Sequence, residues 1–209
     1  MKQNTPNITS SLTTFRFEAL EDGVFAIAMT LLVLNLKIPE TIDQSVFLSI
    51  VKIWPNLLTF FGSFLLLGVY WFGHRTALHY IKNADHVFHW LGILTLMFVS
   101  IVPFSASMIA KYYHDQGAII LYGLNLIAIG VTMYWQWYYS TRGYRLIDEA
   151  LPAFVIRYAK IRIIFAVMAY TLAIFLSFVN TVIPLIIFTI IPVFYILPIF
   201  IPVWKRMAE

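Results

Sequence analysis

Residues 16–39 read RFEALEDGVFAIAMTLLVLNLKIP. Arg16, Glu18, Glu21 and Asp22 lead directly into an apolar run whose middle holds one hydroxyl, Thr30. Ionisable groups at the mouth of a membrane span are costly to hold there. A span that only anchors the chain does better without them. This helix is therefore where the function is expected.

Outward from that stretch, the chain is built for a bilayer. Of its 209 residues, 61% are hydrophobic and only 11% are charged. A soluble domain of this size could not keep its surface in water with so few charges. Apolar runs long enough to span recur at roughly 17–37, 48–74, 87–110, 117–139, 161–182 and 184–204. Pro39 ends the first, Pro55 follows Trp54 early in the second, Pro103 interrupts the third, and Pro192, Pro198 and Pro202 break up the sixth. The short turn Asn180–Pro184 makes the last two spans an antiparallel hairpin. The fold class is all-α, with six transmembrane helices in a single domain over residues 1–209.

The 14 Lys and Arg residues set the orientation. With an even number of spans, both termini share one side. Lys2, Arg16, Arg75, Lys82, Arg142, Arg145, Arg157, Lys160, Arg162, Lys205 and Arg206 lie there, against Lys37, Lys52 and Lys111 opposite. Both termini are thus expected in the cytoplasm. Tryptophans crowd the span ends, as interfacial belts require. The loop 140–160 is expected to carry a short amphipathic surface helix near Ala153–Lys160. The net charge of +4 reads as topology and contact with anionic headgroups, not nucleic-acid binding. The absence of cysteine excludes a disulfide frame, a thiolate nucleophile and Cys-ligated metals. The polar first residues lack the h-region of a signal peptide, so the first apolar run is expected to stay in the protein. No nucleophile–base pair, acidic metal cluster or phosphate loop stands out, so an enzyme is not expected.

A 3.6-residue period from Arg16 places Arg16, Leu20, Gly23, Ile27, Thr30 with Leu31, and Leu34 on one stripe. Several copies around an axis would form an apolar constriction beside a ring of hydroxyl oxygens. Such a constriction gates by dewetting, and such oxygens select among ions. The same stripe also suits ordinary helix packing, with Thr30 bonded to its own backbone. Glu18, Glu21 and Asp22 have two readings as well. They answer the positive end of a helix dipole in its first turns, or they join a buried network with basic partners on other spans.

Arg16-x-x-x-Leu20-Glu21-Asp22 and the span after it resemble the first-span signature of the prokaryotic transmembrane protein 175 family, relatives of the endolysosomal potassium channel. Tyr70-Trp71-Phe72-Gly73-His74-Arg75 resembles the Trp-x-x-His end of that family's second span. Phe98 to Phe104, with Pro103, resembles its third-span Pro-Phe motif. Beyond the third span, only span number and hydropathy agree. The resemblance implies a homotetramer of six-span subunits in a prokaryotic plasma membrane. Its first spans would line a pore for K+ and related monovalent cations, with lipids around it and no cofactor. It implies apolar constriction layers at Ile27, Leu31 and Leu34 and a selectivity hydroxyl at Thr30. It also implies a structural polar network of Arg16 and Asp22 with His74 and Trp71. The family's Phe and Ser are replaced here by Leu20 and Glu21. Glu21 is expected at the pore mouth, where copies would concentrate cations; the alternative is pairing with a basic residue.

Two other functions fit parts of the chain. His74, His79, His86 and His89 gather near one turn, as haem or metal ligands would. Pro103 and the proline-rich sixth span could be the broken helices of a secondary transporter or proton-coupled carrier.

Overall fold

A computed structural model describes residues 8–36, 51, 53–82 and 84–196. Pro39, Pro198 and Pro202, Trp204, the basic residues Lys2, Lys37, Lys52, Lys205 and Arg206, and the expected start of the second span lie outside the described residues. Six α-helices are described: α1 Ile8–Leu31, α2 Trp54–His79, α3 His86–Lys111, α4 Gln116–Thr141, α5 Ala153–Leu176 and α6 Val182–Ile196. A 3-10 turn, Leu32–Asn35, continues α1, and another, Arg142–Tyr144, follows α4. By length and composition, α2 to α5 can each cross a membrane, and α6 is a shorter apolar helix.

Helix ends follow local chemistry. Pro55 sits in the first turn of α2, where its missing N–H costs nothing. Asp85 caps α3 by accepting from the Phe88 N–H at 2.9 Å, and Asp115 caps α4 through Ala118 at 3.1 Å. Gly143 at φ 62° takes the left-handed conformation that turns the chain after α4.

Two expectations are corrected here. Residues 153–160 are not a separate surface helix. They are the first turns of α5, because Pro152 supplies the start and no breaker separates Lys160 from Ile161. And α1 begins at Ile8, well before the charges. Glu18, Glu21 and Asp22 are therefore past the first turn, where the helix dipole no longer acts.

Helix α1 packs on α2 and α3; α3 packs on α4, α4 on α5, and α6 bridges α2 and α5. Phe25 and Ala28 of α1 and Leu32 of the 3-10 turn after it enter one core with Leu66 and Leu67 of α2 and Val99 and Val102 of α3. In lipid these contacts are held by close packing, since hydrocarbon outside competes equally. A second cluster closes the loop end of the bundle, where Phe17 meets Phe88, Trp137, Ile147 and Val155. There Ile81 and Ile147 form an antiparallel bridge, and Lys82 pairs with Asp148. Asp85 also takes the Tyr139 hydroxyl at 2.5 Å and faces Arg145 at 3.5 Å. These contacts tie the α2–α3 turn to the α4–α5 loop.

Candidate functional site

Helix α1 has two unlike faces. Phe17, Glu21, Phe25, Ala28 and Leu32 point inward and are buried. Every member of the predicted stripe, from Arg16 through Leu20, Gly23, Ile27, Thr30 and Leu31 to Leu34, lies on the outer face of the subunit. Ile27 is 61% exposed, Leu31 42% and Leu34 65%. The Thr30 hydroxyl lies 3.0 Å from the Ala26 carbonyl and 2.9 Å from that of Ile27. Its one proton is thus spent on its own helix, and the oxygen lone pairs are left on the outer side.

A polar anchor holds the charged middle of α1. Glu21, only 3% exposed, lies against His74 of α2, itself 5% exposed, with Oε2 and Nδ1 3.0 Å apart. On its other side the His74 Nε2 is 2.7 Å from Gln136 Oε1 of α4. The Gln136 amide nitrogen donates to the Phe88 carbonyl at 3.3 Å. Gln136 Oε1 is therefore an acceptor, and His74 Nε2 carries a hydrogen. Nδ1 then either donates to a carboxylate or accepts from a carboxylic acid. In both forms the pair shares one proton and has no net charge, which suits a dry site. Gly92 of α3 makes room for this chain: a Cβ there would fall on the Phe17 ring and 2.9 Å from Gln136 Nε2.

Asp22, one residue on, faces the subunit edge. It accepts from Trp71 Nε1 at 2.7 Å and from Arg75 at 3.3 Å, and the Arg75 guanidinium lies 5.6 Å from the Trp71 ring centre. The Asp22–Arg75 pair is largely exposed, so its electrostatic contribution is small. A second anchor holds the far end. Asn35 donates to the Pro103 carbonyl of α3 at 3.2 Å, and Asn56 of α2 donates to the Asn35 carbonyl at 3.3 Å.

Of the expected network, Asp22, Trp71 and His74 meet at the α1–α2 contact. Arg16 does not join them. It is exposed and pairs with no described residue, and Arg75 takes its place beside Asp22 because it is one residue from His74 on the helix facing α1. Glu21 is not at a pore mouth in this geometry: the imidazole of His74 draws it inward. Arg75, Gln136, Asn35 and Asn56 were missed by sequence reasoning. A signal existed for two of them, since an amide inside an apolar run, as at Asn35 and Gln136, usually bonds across helices. His86 and His89 have separate partners. His86 accepts from Trp90, and His89 meets the Asp85 carbonyl. Among the described residues, no group of three metal-ligating side chains converges.

The sequence profile of the family described as the endosomal/lysosomal potassium channel TMEM175 matches residues 16–103. A potassium channel of Streptomyces collinus is 32% identical over 170 residues, which cover 79% of this chain and 82% of that one. A potassium channel of Chamaesiphon minutus is 37% identical over 143 residues, 65% of this chain and 70% of that one. The crystal structure of a lysosomal potassium-selective channel TMEM175 homolog from Chamaesiphon minutus superposes with a TM-score of 0.77. It is 28% identical and covers 88% of this chain and 96% of that one.

Proposed function

The chain belongs to the TMEM175 family, and on that premise we propose that it is a potassium-permeable cation channel whose pore is lined by α1. The observation that carries this reading is the two-faced α1. Its inner face is packed, it is pinned near its middle by Glu21 and past its C-terminal end by Asn35, and its outer face is a row of large apolar side chains with one hydroxyl. Four subunits, as a homotetramer in a prokaryotic plasma membrane with cytoplasmic termini, bring four such faces to one axis. Each subunit is a single multi-pass membrane domain.

Ile27, Leu31 and Leu34 form the constriction. A ring of branched apolar side chains expels water when narrow, so conduction requires the four helices to move apart. Thr30 offers its oxygen toward the axis because its proton faces its own backbone. That dipole replaces part of a cation's hydration shell. Asp22, paired with Trp71 and Arg75, holds α1 against α2 toward the cytoplasmic entrance. No cofactor is needed for such passage.

The test is flux into liposomes holding the purified protein under matched K+ and Na+ gradients, beside Ile27→Asn. Flux that prefers K+ and rises in the variant supports α1 as the pore. Wild-type flux with no change in Ile27→Asn would move the pore elsewhere. An assembled structure with α1 facing lipid would end the proposal.

A further inference from the structure

A cavity of about 140 Å³ lies between α2, α4, α5 and α6, away from the outer face of α1. Its walls are mostly apolar, from Leu66, Tyr70, Met133, Ala166, Tyr170 and Ile191. An apolar void of comparable size admits a benzene-sized guest and stays dry otherwise. Arg162 of α5 also lines it. The rings of Tyr195 and Tyr158 lie 4.8 and 5.9 Å from that guanidinium. The guanidinium carries its N–H donors along its edges. Those edges meet no carboxylate among the described residues. Arg162 sits in the half of the bundle that the charge distribution assigns to the cytoplasm, and Arg157 and Lys160 precede it on the same helix.

We propose that this cavity is a binding site for an anionic phospholipid of the inner leaflet, with its phosphate on the Arg162 edge and the end of one acyl chain inside. Charge complementarity selects the occupant. A guanidinium without a carboxylate, beside an apolar hollow, matches a ligand with one negative head and one hydrocarbon tail. A zwitterionic lipid offers the same tail but sets an ammonium group near Arg162. The hollow also reaches His74 and Gln136, which hold α1, so the bound chain braces that contact from behind.

The experiment uses phosphatidylglycerol carrying a diazirine near the end of one acyl chain, with the matching phosphatidylcholine as control, added to the purified full chain. After illumination, labelled peptides are mapped. Labelling of cavity-wall residues by phosphatidylglycerol, about tenfold above phosphatidylcholine at equal concentration, is expected. Arg162→Gln should lose that preference and Arg162→Lys should keep most of it. Equal labelling by both lipids, or a preference unchanged in Arg162→Gln, overturns the anionic site. Absence of cavity labelling by either lipid in folded protein overturns the site altogether and leaves the hollow to the chain's own residues. Binding is read without ion flux, so the outcome is independent of the channel proposal.

Discussion

Removing the Glu21 carboxylate tests the anchor of α1 most directly. Glu21→Ala leaves the His74 Nδ1 facing an empty, dry site, while Nε2 stays on Gln136. Breaking a buried pair of this kind costs about 3–5 kcal/mol, because the stranded partner is desolvated without compensation. Both side chains are almost fully buried, so neither water nor salt recovers much of it. At about 2–4 °C per kcal/mol for a chain of this size, melting should fall by about 6–20 °C. The assay is thermal loss of the monodisperse peak on size exclusion, for wild type, Glu21→Ala, His74→Ala and the double variant. The double variant should be little worse than either single one, since the two changes remove one interaction. Glu21→Gln separates the two proton placements. If the pair is a carboxylic acid and a neutral imidazole, the Gln amide donates to Nδ1 in its place and stability is nearly kept. If it is an ion pair, the Gln oxygen can still accept from Nδ1–H but brings no counter-charge, so the imidazolium is uncompensated and melting falls part of the way toward that of Ala. A Glu21→Ala protein melting within a degree of wild type, or single costs that simply add, would refute the anchor.

Other perturbations reach the remaining contacts. Thr30→Ala should lower the preference for K+ over Na+ while assembly stays intact, read as reversal potentials; unchanged potentials would remove Thr30 from selectivity. Asn35→Leu should free the far end of α1 from Pro103 and Asn56, at about 1–3 kcal/mol in melting; an unaltered melting temperature would dismiss that clamp. Asp85 predicts a pH dependence. Partial burial pushes its carboxyl up, but the Tyr139 hydroxyl, the Phe88 N–H and Arg145 outweigh it, and its pKa lies below the ordinary carboxylate value. Its stabilising share is complete above the ordinary value and is lost as pH falls through the lowered one. Asp85→Asn should therefore be less stable than wild type at neutral pH, with the gap closing in acid; a constant gap from neutral pH into acid would contradict this.

Hydropathy carried most of the fold. Six helices were legible because apolar runs bounded by Pro55, Asp85, Asp115 and Asn180 leave few other solutions in a bilayer. Helix ends were less legible. The beginning of α5 at Ala153 was read as a surface segment because Arg157, Lys160 and Arg162 lower its hydropathy, yet nothing in it stops a helix. The outer stripe of α1 followed from a period of 3.6 alone, since side chains on a helix repeat in direction whatever surrounds them.

Which charge met which was a different matter. Glu21 and Asp22 are neighbours in sequence and point about 100° apart on a helix. One turns into the bundle and the other to its edge, and only the packing of α1 on α2 decides which. Gln136, remote in sequence, becomes the third member of the Glu21–His74 chain because α4 packs beside α3 where Gly92 leaves room. Sequence by itself determined the span pattern, the family and the face of α1 that stays open, because these depend on local periodicity and composition. Tertiary structure alone decided the partners of Glu21, Asn35 and Arg162, and that Arg75 and not Arg16 joins Asp22 and Trp71, because a polar group inside a membrane protein takes whatever partner the neighbouring helices bring within hydrogen-bond reach.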